Sequence, residues 1–260
     1  MLGAACGNAP AGSSTGSSGS QTAGARADLA PTGKLRLGFP AAPPFLGQQD
    51  PGSGRWNGLA ISLGNDLAAK LGVSLAPVQY PDPGAAYAAL MAGEVDVVFA
   101  PIEAKPGGTD GTKAVISVEH TYLVRSGSTL QSVSDVDRQN IRIGSAAGSP
   151  HTAFLASHLE HAQLVPFPTD ADAVAALAAG HIDAYANVRF ALAGLMAKVP
   201  ASRMLTGSFF SAGFGFVTLS KHAKAGAYLD SFAGSEVSGG QVEQLVQTLG
   251  KPGVVAGSET

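Results

Sequence analysis

A single cysteine, Cys6, stands in the 260 residues of this chain, so neither an intramolecular disulfide nor a cysteine-built zinc cluster can form. Charge is scarce too. Asp, Glu, Lys and Arg make up 13%, and a net charge of −3 leaves no basic footprint for nucleic acid and no polybasic patch for a membrane surface. No apolar run reaches the roughly 18 residues a membrane-spanning helix needs. Neither a phosphate-binding Gly-x-x-x-x-Gly-Lys-Ser/Thr nor a His-Glu-x-x-His occurs. No metal and no cofactor is therefore expected. What the chain does have is 45% hydrophobic residues, enough to bury a core as one large domain or two small lobes.

Residues 7–33 are dominated by Gly, Ser, Ala, Thr and Pro. They read as a flexible leader and linker, because almost no large apolar side chain is present to order them. As a random coil this stretch would span roughly 30 Å. Ahead of it, Met1-Leu-Gly-Ala-Ala-Cys6 resembles the end of a bacterial lipoprotein signal, although the large aliphatic residue, Leu2, sits one place early and Gly3 fills its slot. That resemblance implies lipidation at Cys6 and a periplasmic or cell-surface location.

From Lys34 the pattern becomes regular. Residues 34–39 form a first strand, 40–54 a Pro- and Gly-rich loop, and Leu59, Leu63, Leu67 and Leu71 repeat at helical spacing over 58–71. Strand 73–80, helix 83–92 and strand 95–100 follow, then a loop over 103–113. The grammar restarts with strand 141–144, helix 150–162, strand 164–167, helix 170–179, strand 182–186 and helix 188–198. A strand over 214–219 and helices over 221–233 and 239–249 close the chain. Strands alternating with helices predict parallel sheets with crossover helices. Leu90-x-x-Gly93-x-x-Asp96 returns as Leu177-x-x-Gly180-x-x-Asp183, so the expectation is two similar α/β lobes with a cleft between them. The chain passes between them near 120–126 and again near 207–216.

Several motifs together carry a resemblance over about 34–250. They are Leu35-Arg-Leu-Gly38 with Pro43-Pro44-Phe45, Gly58 before the helix bearing Asp66, Leu90-x-x-Gly93-x-x-Asp96, Ile141-Arg-Ile-Gly144 with Gly148-Ser149, and Gly180-x-x-Asp183-Ala184. The stretch resembles the family 3 extracellular solute-binding proteins, the polar amino-acid type of ABC importers. The resemblance implies a two-lobed type II periplasmic-binding-protein fold, each lobe a mostly parallel sheet flanked by helices, joined by two crossover strands. Its division would be 1–33 leader, 34–121 with 214–260 first lobe, and 122–213 second lobe. It further implies a monomer that captures a small polar organic solute, amino-acid-like or related, and delivers it to a membrane permease without catalysis. The alternatives on this scaffold are a periplasmic dehydratase of the prephenate or arogenate type and a ligand-sensing module.

The residues implied at the ligand are Phe45, Ser149 and Asn187, with Glu103, Lys105, Tyr122 and Arg189 behind them. Phe45 takes the position of an aromatic that packs on ligand. Ser149 opens a helix, where free N–H groups suit a carboxylate and where the hydroxyl can also cap. Two positions depart from the amino-acid binders: no Arg falls in 101–113, and Asn187 replaces an Asp that would pair with an ammonium. Both halves of the zwitterion clamp are missing, which points to a neutral, differently charged or larger ligand. His151, His158 and His161 fall on one expected helix and read as solvated, and Trp56, Tyr80 and Tyr87 read equally well as cleft or packing residues.

Overall fold

A computed structural model describes residues 16–196, 198, 199 and 201–257; Cys6, the expected lipidation site, lies outside them. In chain order the helices are α1 (Gly16–Leu29), α2 (Leu59–Leu71), α3 (Pro83–Ala92), α4 (Pro150–His158), α5 (Asp170–Ala179), α6 (Arg189–Met196), α7 (Ala223–Ser238) and α8 (Gln241–Leu249). The strands are β1 (Lys34–Pro40), β2 (Gln48–Gln49), β3 (Trp56–Asn57), β4 (Ser74–Tyr80), β5 (Val97–Pro101), β6 (Thr109–Gly111), β7 (Ile116–Arg125), β8 (Arg142–Ala146), β9 (Gln163–Phe167), β10 (Ala184–Val188), β11 (Ser202–Met204), β12 (Phe210–Leu219) and β13 (Val254–Ala256).

The main sheet runs β4-β1-β5-β12-β7-β10-β8-β9. At one end β4, β1 and β5 are parallel; at the other β10, β8 and β9 are parallel. Between them β12 and β7 lie antiparallel to each other and to their outer neighbours. These are the two crossing strands, each ten residues long. The expected two-lobed α/β architecture is therefore the observed one. In the first lobe Leu63, Leu67 and Leu71 of α2 and Leu229 and Phe232 of α7 close on one face of the sheet, and Leu90 of α3 closes on the other. In the second lobe Leu155 of α4 covers one face, while Leu177 of α5 and Leu192 of α6 cover the other.

The doubled sequence signature builds the same device twice. Gly93 and Gly180 end α3 and α5 in left-handed conformations, φ 74° and 78°, which a glycine adopts without steric cost. Three residues on, Asp96 donates its N–H to Arg36 O and accepts from Arg36 N and Nε, while Arg36 also reaches Gly93 O. Asp183 repeats every contact with Arg142: N–H to Arg142 O, oxygens to Arg142 N and Nε, and Arg142 to Gly180 O. The Arg of each Leu/Ile-Arg-Leu/Ile-Gly strand thus clamps the turn that feeds the neighbouring parallel strand. Its following glycine leaves room for that turn; a Cβ on Gly144 would lie 2.3 Å from Ile182 Cδ1.

Three expectations need correction. Residues 16–29, read as part of the flexible leader, form α1, whose Ala25 and Leu29 are fully buried where it lies against α7 and α2. Small side chains allow that approach, and the packing, not intrinsic apolarity, stabilises the helix. The helix expected over 150–162 stops at His158, because Asp137 accepts from the N–H groups of Glu160, His161 and Ala162 and holds them in a turn. The loop over 103–113 contains β6, paired antiparallel with β12.

The clamps differ in exposure: the Asp96 and Arg36 side chains are 4% and 28% exposed, those of Asp183 and Arg142 24% and 39%. Asp96→Ala, which strands part-buried donors, is expected to cost about 3 kcal/mol, and Asp183→Ala about 1 kcal/mol, by urea unfolding. Equal losses would contradict this account.

Candidate functional site

In an open α/β sheet the crevice forms beyond the carboxyl ends of parallel strands. Here β1, β4 and β5 end at Pro40, Tyr80 and Pro101, and β8, β9 and β10 end at Ala146, Phe167 and Val188. The innermost strand of each set ends against a crossing strand: Val188 of β10 pairs with His120 of β7, and Pro101 of β5 pairs with Phe214 of β12.

Five of the seven expected residues lie around this seam. Phe45, half-buried in the turn after β1, meets Phe190 of α6 edge-on at 5.6 Å. Phe190 follows the second lobe's β10 yet packs on the first lobe's core, so this ring pair ties the two together. Arg189 pairs with Glu119 of β7 at 2.5 Å and also donates to Gly207 O. Glu103 is exposed and accepts the N–H of Gly213 on β12 at 3.0 Å. Ser149 caps α4, accepting from Thr152 N at 3.2 Å. Asn187 is buried with both ends of its amide engaged: Nδ2 donates to Tyr185 Oη at 2.7 Å and Oδ1 accepts from Val188 N at 2.7 Å. Tyr185 in turn donates to Asp170 at 2.6 Å.

The other two residues are not brought there. Tyr122 is 2% exposed and stacked on Phe209 at 4.5 Å inside the second lobe's core, where burial raises its phenol pKa. Lys105 turns to β6 and α7 and lines a surface cavity with Asp110 and Gly226. Of the aromatic alternatives, Trp56 lies edge-on to Phe39 and Tyr87 bonds Pro101 O, both packing roles. Larger cavities of about 650 and 830 Å³ open beside Arg125 and beside Lys113; neither is lined by Phe45, Ser149 or Asn187.

Sequence reasoning missed a ring cluster beside the seam. His120 and His151 are 4% and 5% exposed with centroids 5.3 Å apart. His120 also lies 4.9 Å from Phe210, which stacks at 4.8 Å on Phe154 of α4. The reading of His151 as solvated is overturned, because the first turn of α4 presses it onto β7; His158 stays exposed, stacked on Phe154 at 3.9 Å. The signal was the alternation in β7, where Val118, His120, Tyr122 and Val124 share one face.

No protein-family model and no curated protein matches the sequence. Solved structures do match the fold. A putative binding component of an ABC transporter from Wolinella succinogenes, complexed with lysine, aligns with a TM-score of 0.64 at 20% identity over 84% of this chain and 95% of its own. The ancestral amino acid-binding protein AncCDT-1, a precursor of cyclohexadienyl dehydratase, aligns with a TM-score of 0.62 at 20% identity over 85% and 96%. The amino acid ABC transporter substrate-binding protein AbpA from Streptococcus pneumoniae, bound to L-arginine, gives 0.60 at 19% over 85% and 95%. The chain has the type II periplasmic-binding-protein fold.

Burial lowers the pKa values of His120 and His151 to about 4 each. In the unfolded chain they titrate near 6.5, so between about pH 6.5 and 4 the unfolded state binds more protons. Stability is full above 6.5 and declines as pH falls through that window. A loss of about 2 kcal/mol per histidine, and so about 4 kcal/mol for the two together, is expected between pH 7 and pH 5, and it should shrink in a His120→Gln/His151→Gln variant followed by urea unfolding at both pH values. An unchanged pH dependence would contradict it.

Proposed function

We propose that this protein is the solute-binding component of an ABC importer, capturing a small polar organic solute, amino-acid-like or related, between its lobes. The observation that carries the reading is the seam itself: the carboxyl ends of two parallel strand sets converge on two crossing strands, with Phe45 of one lobe against Phe190 beside the other. A solute touching both lobes favours the closed arrangement by its differential affinity for that state, and a membrane permease reads the closed form. The lobes are 34–121 with 214–260 and 122–213, α1 joining the first. The working form is a monomer in the periplasm or at the cell surface, held by a lipid on Cys6.

The fold's neighbours include both binding proteins and the precursor of a dehydratase. An enzyme reading needs a general acid in a dry cleft. Glu103, the acid that reading would use, is exposed and acts as acceptor for Gly213 N–H, which favours binding over catalysis.

Thermal-shift screening against amino acids, amines, organic acids and sugars tests the reading. A ligand at 100 times its Kd is expected to add about 2.7 kcal/mol, and Phe45→Ala should weaken the hit about tenfold, the scale of a lost aromatic contact. A silent panel, or consumption of prephenate or arogenate, would overturn it.

A further inference from the structure

His151 is the second residue of α4, a nine-residue helix whose amino end opens at the seam. Its ring is 5% exposed, yet Nε2 is buried and has no hydrogen-bond partner. Among the described residues only His222 Nδ1 shares that condition. A buried polar atom left unpaired is costly and calls for a partner. The amino end of a helix adds N–H groups and a positive dipole, both favouring an anion. The rings alongside are His120, Phe210 and Phe154, the last two half-buried and so partly presented.

The acids nearby each hold a partner at the surface or along the strands. Glu119 is paired with Arg189, Asp170 is exposed, near enough to act on His151, and accepts from Tyr185 through one oxygen, and Asn187 has one bond at each end of its amide. Glu103 accepts one N–H from Gly213 and stays exposed, where an ion pair contributes little. The seam thus offers an anion partner and ring surface but no buried carboxylate for an ammonium.

We propose that the solute is a ring-bearing carboxylate without an ammonium group, and that His151 is its specificity-determining residue. The neutral imidazole, carrying its proton on Nε2, donates to the carboxylate beside the first turn of α4, and the ring lies against Phe210 and Phe154. This deepens the solute-binding reading and rests on it.

Isothermal titration calorimetry on the full chain tests it with phenylacetate and 3-phenylpropionate against phenethylamine, L-lysine and L-arginine. The carboxylates are expected to bind and the three amines not to. His151→Ala should weaken carboxylate binding by roughly tenfold to a hundredfold, and His151→Gln, which keeps an N–H donor, should recover part of it. Melting curves of both variants identify any loss of fold, and the Gln variant carries the test if the Ala variant unfolds. Binding of L-lysine, L-arginine or phenethylamine in place of the carboxylates would overturn the inference while leaving the solute-binding reading intact. Unchanged carboxylate affinity in the His151 variants would overturn it as well. Absence of carboxylate binding also overturns it, and the solute-binding reading falls with it only if the broader thermal-shift panel is silent.

Discussion

Two arginine–aspartate clamps set the geometry on which the rest of this molecule depends. In each lobe an Arg in the first parallel strand holds an Asp beyond a glycine-capped helix, through its backbone and its guanidinium together. The clamp fixes where β5 and β10 enter their sheets relative to β1 and β8. Once entry is fixed, the strands deliver their carboxyl ends at one level, and the loops that follow face the crossing strands. The Arg142 bonds also hold the Asp183 carboxyl below its ordinary pKa, against the opposing pull of burial. The device sits at the ends of the lobes remote from the seam, so its role is architectural.

The seam inherits a second constraint from the crossing strands. β7 and β12 are the continuous links between the lobes, and each carries groups that fasten neighbouring loops: Glu119 holds Arg189 at the start of α6, and Gly213 holds Glu103. The Glu119–Arg189 contact satisfies two largely buried charges, as burial requires. Phe45 against Phe190 is the contact through which relative movement of the lobes would be felt, because Phe190 is attached to one sheet and packed on the other lobe's core.

Much of the scaffold was legible because its signals are local. Strand, helix and glycine cap follow one another within a few residues, and a repeated Leu-x-x-Gly-x-x-Asp marks both lobes. The failures are tertiary. α1 looked like linker because its Ala, Gly and Ser residues have no apolar stripe of their own; α7 and α2 supply the surface that buries Ala25 and Leu29. Tyr122 read as a cleft residue because it stands near the crossing, but strand alternation turns it onto Phe209 and into the core. His151 read as solvated because helical spacing cannot say which face meets a crossing strand. Arg189 was found at the seam because it follows directly on the end of β10, and Phe45 because it stands in the loop that leaves the end of β1, where chain order and the crevice coincide.

Asn187 shows why a departure from a family pattern is more than a missing charge. Tyr185 donates its only proton to Asp170, so the remaining capacity of its oxygen is to accept, and Asn187 Nδ2 supplies the donor. An aspartate at 187 has no proton to offer at neutral pH, and it would set a second anion beside the phenol already bound to Asp170. The amide and Asp170 therefore belong together: with Asp170 taking the phenol proton, a carboxylate at 187 is unfavourable. Asn187 is thereby drawn into the second lobe's own hydrogen bonding. The Asp170 charge is thus tied, through Tyr185 and Asn187, to the packing of β10 against α5.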